Sequence, residues 1–156
     1  MRRYAMGLFS KSVTDEKWIN QAKSPYQNML HLTTALHKAI NSGSIEDEYK
    51  AVDEFSNMIP IISEATKQLQ NPTSKEACRA HKNLKSAVKI YTEAIKHGVK
   101  YFKALCGESG RNLSAGGVLE RFGAATIGFE KSIYRGFIKT AQGYMDEADA
   151  YLSNYK

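Results

Sequence analysis

The chain has little of what usually reveals a function. Two cysteines, Cys78 and Cys106, are too few for a disulfide framework. On one continuous helix their 28-residue separation spans roughly 42 Å, whereas disulfide partners need Cα atoms within about 7 Å. An intrachain bond is excluded on that reading, and a reducing, cytoplasmic setting fits it. No apolar run approaches the ~18 residues of a transmembrane span. Arg2-Arg3 is followed by no sustained apolar stretch, which argues against a secretory signal. Glycine and proline are not enriched, so wholesale disorder is not expected.

Motifs that carry chemistry are missing as well. The sequence holds no haem-attachment, zinc-finger, nucleophile-elbow or dinucleotide pattern. A di-iron bundle needs two inward Glu-x-x-His motifs, and no glutamate here is followed by histidine at three residues. His31 and His37 do not share a helical face, and His81 and His97 are too far apart to serve one site. Cys78 and His81 are three apart but lack a third ligand. Glu93 and His97 fall on a polar flank. The Gly- and Ser-containing stretch after Cys106 lacks the phosphate-loop pattern, and Arg111 alone does not replace it. The expectation is a protein that is not an enzyme, with no metal and no cofactor.

What is present is helical periodicity. Asn71-Pro72-Thr73-Ser74 breaks and then caps a helix, with Glu76 in its first turn. Ala77, Ala80, Leu84, Ala87, Val88, Tyr91, Ala94, Ile95, Gly98, Tyr101, Phe102 and Leu105 then recur on one face. The opposite face carries Lys75, Arg79, Lys82, Lys85, Lys89, Lys96, Lys100 and Lys103 against only Glu76 and Glu93. This one helix nets +6, the formal charge of the whole chain. The preceding helix nets −4 and is expected to neutralise part of the lysine face along a shared edge.

Three further helices follow from the same logic. The first starts at Thr14 and carries Trp18, Ala22, Tyr26, Met29, Thr33, Leu36 and Ile40; the second starts at Ser44 and carries Ile45, Tyr49, Val52, Phe55, Ile59, Ile62 and Leu69. Proline inside each implies a bend. The last helix has an apolar arc wider than half its circumference. Val118, Phe122, Ala125, Phe129, Ile133, Phe137, Thr140, Tyr144 and Tyr151 form its core stripe, and Ile127, Tyr134, Ile138, Met145 and Leu152 a second one.

The expected fold is therefore all-α: an antiparallel four-helix bundle of long helices, about 14–42, 45–71, 74–106 and 114–153, kinked near Pro25 and Pro60. Residues 1–13 are expected to be a flexible basic arm before this single domain. For function, the expectation is an interaction or adaptor protein. Ile127, Tyr134, Ile138, Met145 and Leu152 would bind a protein partner or a second copy in a homo-oligomer. The alternative is an anionic surface, nucleic acid backbone or acidic membrane lipid, held by Lys82, Lys85, Lys89, Lys96, Lys100 and Lys103.

Overall fold

A computed structural model describes residues 12–105 and 117–155, apart from the side chains of 117–124. Four helices form the bundle: α1 (Asp15–Ser42), α2 (Ile45–Lys67), α3 (Lys75–Lys103) and α4 (Gly117–Leu152), with a short 3-10 turn, Ser153–Tyr155, after the last. The polar residues that start the first three act as caps. Thr14 accepts a hydrogen bond from the Lys17 amide (3.2 Å), Ser44 from that of Asp47 (3.2 Å) and Ser74 from that of Ala77 (3.0 Å). Gly43 closes α1 at a positive φ of 75°, a backbone state that glycine adopts without strain.

Short connections force sequential helices to run antiparallel, and side-chain contacts fix the order around the bundle. Trp18 at the start of α1 meets Tyr151 at the end of α4 (6.2 Å), and Phe55 of α2 stacks on Tyr91 of α3 (5.3 Å). The chain is an all-α, up-down-up-down four-helix bundle. α1 and α2 run unbroken through Pro25, which is buried, and Pro60, which is exposed. α2 ends at Lys67, four residues before the expected stop, because the Gln68 and Leu69 amides fold back onto the Ala65 and Thr66 carbonyls.

Residues 12 and 13 are held against the α2–α3 connection. The Val13 amide donates to the Asn71 carbonyl (2.8 Å), and the Thr73 hydroxyl to that of Val13 (2.8 Å). The Asp15 carboxylate accepts the Thr73 and Ser74 amides (3.0 and 2.9 Å). These bonds hold its pKa below the ordinary carboxylate range, the Ser74 contacts contributing most. Residues 1–11 of the proposed arm lie outside the described residues.

The core runs the length of the bundle, with Trp18, Tyr26, Phe55, Tyr91, Phe102 and Tyr134 enclosed. The α3 stripe is buried from Ala77 to Phe102, as its spacing predicts, and Leu105 is half-buried. α3 and α4 share the most extensive packing. Gly98 makes this approach feasible: a Cβ there would meet the Tyr134 ring at 2.9 Å.

The stripes of α4 require a correction. Tyr134, Ile138, Met145 and Leu152, assigned to a partner, are buried in the core, and Ile127 is half-buried against it. Phe129 and Tyr144, assigned to the core, are 66% and 39% exposed. An arc wider than half the helix fits the core along either of its halves. Ala141 and Ala148, both fully buried, lie between Ile138, Met145 and Leu152 and complete that stripe as the core-facing one. Ile45 and Tyr49 of α2, also assigned to the core, are likewise exposed.

Candidate functional site

The lysine face of α3 is exposed as expected, but it is not a uniform rod. Its N-terminal half forms one wall of a groove of about 730 Å³, with the C-terminal half of α2 opposite. α3 contributes His81, Lys82, Lys85, Ser86, Lys89 and Thr92, and α2 contributes Ser63, Thr66 and Lys67. Of the six lysines named from sequence, Lys82, Lys85 and Lys89 line this groove. Lys96, Lys100 and Lys103 are exposed beyond it.

His81 gives the groove its one rigid polar group. Its ring is 8% exposed and lies edge-on to Trp18. The indole N–H of Trp18 donates to His81 Nδ1 at 2.9 Å. An indole nitrogen can only donate, so Nδ1 is the acceptor and the neutral ring carries its proton on Nε2. Burial, seconded by the positive charge of Lys85, lowers the His81 pKa and favours this neutral form. Among the described residues, Nε2 has no hydrogen-bond partner, and no buried side-chain nitrogen or oxygen is left unpaired. Nε2–H therefore keeps some exposure to solvent.

The charges around it are not neutralised. Among the described residues, no ion pair joins an α2 carboxylate to an α3 lysine, contrary to the expectation of a compensating edge. Glu54 faces His31 (3.7 Å), Glu46 faces Lys50 (3.4 Å), and Glu48 crosses the bundle to Arg135 (2.9 Å). Glu93, the one carboxylate lining the groove, pairs with Lys96 at 3.1 Å. Lys67, Lys82, Lys85 and Lys89 all line the groove, and among the described residues none has an acidic partner.

Set against protein-family models, curated proteins and solved structures, the chain matches none of them. Its function must be argued from its own geometry.

Other polar groups are satisfied within the fold. The Tyr91 hydroxyl donates to Gln142 (2.6 Å) and so accepts from His37 Nε2 (3.1 Å); Gln142 donates in turn to Asp146 (2.6 Å). Burial lowers the His37 pKa and raises that of Tyr91. His97 donates to the buried Glu130 at 2.9 Å rather than pairing with Glu93. Among the described residues, no group of three potential ligands could hold a metal. No described helix is long and apolar enough to cross a membrane. Cys106 and Arg111 lie outside the described residues, and Cys78 is exposed.

The second surface of interest is the outer face of α4. Ala125, Gly128, Phe129, Ser132, Gly136, Thr140 and Gly143 are all exposed and repeat at helical spacing. A Cβ added at Gly128, Gly136 or Gly143 would meet nothing within 4 Å. These glycines are not required by packing inside the bundle. The sequence spacing placed Ala125, Phe129 and Thr140 inward, on the core stripe, and all three are exposed.

Proposed function

We propose that the protein is a non-enzymatic interaction module that pairs with a second copy of itself through the outer face of α4. The observation that carries this reading is Phe129, 66% exposed on a helix face that also presents Ala125, Gly128, Ser132, Gly136, Thr140 and Gly143. Each glycine in a helix interior costs about 1 kcal/mol relative to alanine. Close approach of another helix at Gly136 and Gly143 would offset that cost, and the ring of Phe129 would fill the adjacent gap.

Charge favours one direction for the pair. The exposed charges on this face are Lys139 near its middle and Asp146 and Glu147 in its later part. Two copies of α4 laid antiparallel bring Gly136 of one towards Gly143 of the other and keep the acidic ends, Asp146 and Glu147, of the two copies apart. A parallel pair would oppose like charges. A two-fold axis across α4 gives a closed, self-complementary dimer.

Sedimentation equilibrium of wild type, Gly136→Leu and Phe129→Lys tests this. Both substitutions lie on open surface, so circular dichroism and thermal unfolding should stay near wild type. Dimer dissociation should rise roughly thirtyfold or more in each, as for a central interface residue losing about 2 kcal/mol. A wild type that is monomeric throughout, or a dimer indifferent to both substitutions, would remove this function.

A further inference from the structure

We propose that the α2–α3 groove is a binding site for a compact phosphate-bearing ligand, held by Lys67, Lys82, Lys85 and Lys89 and oriented by the Nε2–H of His81. This site shares no residue with the outer face of α4 and does not depend on self-association.

The inventory of hydrogen-bonding groups carries the argument. Four lysines supply ammonium donors, and His81 supplies a fixed N–H donor. Ser63 and Ser86 add hydroxyls with no partner among the described residues. The Thr66 and Thr92 hydroxyls already donate to the Ser63 and Val88 carbonyls (2.9 and 2.7 Å). On the acceptor side stand the Asn71 side-chain carbonyl, matched by the amine of the same amide, and one carboxylate, Glu93, itself engaged by Lys96. So many donors with so little to receive them call for a ligand rich in acceptors and negative charge. Phosphate oxygens answer both demands.

Shape argues for a small ligand rather than a polymer. A volume near 730 Å³ lies within the roughly 300–1,000 Å³ typical of small-molecule sites. A nucleic acid backbone tracking α3 would engage Lys96, Lys100 and Lys103 as well, and these lie outside the groove. His81 also differs from the lysines in kind. A buried ring held by Trp18 offers direction, whereas flexible ammonium groups offer mainly charge.

Trp18 is the single tryptophan of the chain and touches His81, so its fluorescence reports on the groove. We would titrate the full chain with inorganic pyrophosphate and with soluble inositol trisphosphate. Vesicles of phosphatidylcholine containing a phosphatidylinositol bisphosphate, vesicles containing phosphatidylserine instead, and a short single-stranded RNA would follow. Nitrogen NMR of His81 would accompany each titration. Two double variants provide the contrast: Lys82→Gln/Lys85→Gln in the groove and Lys100→Gln/Lys103→Gln outside it. All four positions are exposed on a helix, where glutamine is well tolerated.

The expected result is saturable one-to-one binding of a phosphate compound with a shift at His81 Nε2. The groove variant should weaken it roughly tenfold or more, and the outer variant should leave it within about twofold. Binding of the soluble phosphates would identify a free metabolite as the source. Binding confined to phosphoinositide vesicles would identify a lipid headgroup, with the same chemistry at the site. Absence of saturable binding to any phosphate probe would overturn the proposal. So would equal sensitivity to both lysine pairs, equal binding to phosphatidylserine, or preference for RNA, since each reduces the groove to diffuse charge.

Discussion

At the scale of single residues, a few polar side chains decide how the helices cross. Glu48 is 6% exposed and accepts the Tyr134 hydroxyl (2.7 Å) and the Arg135 guanidinium (2.9 Å), linking α2 to α4. Burial, reinforced by Glu48, raises the Tyr134 pKa well above that of a free phenol. Glu48→Ala would strand both partners, and a loss of about 2–4 kcal/mol is expected by urea denaturation, with Tyr134→Phe losing about 1–2. If Glu48→Ala loses no more than Tyr134→Phe, Arg135 is simply solvated and the ion pair adds nothing. The histidines set a pH dependence. His37 and His81 have folded-state pKa values below the ordinary 6.5, so the unfolded chain binds their protons first. Their contribution is fully present above about pH 6.5 and falls away as pH drops through the folded-state values. The urea midpoint should therefore decline between about pH 7 and pH 5, and His37→Gln/His81→Gln should flatten that decline. Asp15 works in the same direction but lower, its depressed pKa removing stability only as pH falls below about 4.

Individual helices show how much the sequence could reveal. α3 was legible almost throughout, because apolar and basic residues alternate on it with a narrow stripe and no competing face. α4 was legible as a helix but not in its orientation. Alanine marks that orientation: Ala141 and Ala148 are fully buried between the larger residues of the core stripe, yet a search for large apolar residues passes over them. Glu48 reads in the sequence only as one of the acidic residues of α2, and nothing within α2 reveals that its partners sit 86 and 87 residues later. His81 left a readable trace, lying four residues after Ala77 and three before Leu84, on the border of the core stripe. The glycines divide in the same way. Gly98→Ala would press a methyl group 2.9 Å from the buried Tyr134 ring and should destabilise the bundle by about 1–3 kcal/mol. Gly143→Ala meets open space on a helix and should stabilise the monomer by about 0.5–1 kcal/mol. Thermal unfolding of the two variants side by side should give shifts of opposite sign; equal signs would mean that α3 and α4 do not meet as closely as Gly98 requires.

For the whole molecule, the two surfaces lie on different edges of the bundle. Among the described residues, α4 contributes nothing to the groove, and α2 and α3 contribute nothing to the outer face of α4. Substitutions at well-separated sites without shared partners combine nearly additively. Gly136→Leu should therefore leave the pyrophosphate titration unchanged, and Lys82→Gln/Lys85→Gln should leave the sedimentation profile unchanged. Combining all three should reproduce both losses, each within about 0.5 kcal/mol of its separate value. Excess coupling would mean that the free energy of one surface is transmitted to the other through the core. One connection runs along α3, whose His81 borders the groove while its Gly98 seats Tyr134 of α4. Restoring independence by loosening that seat, with Tyr134→Leu in the combined variant, would then identify the α3–α4 contact as the element that carries it.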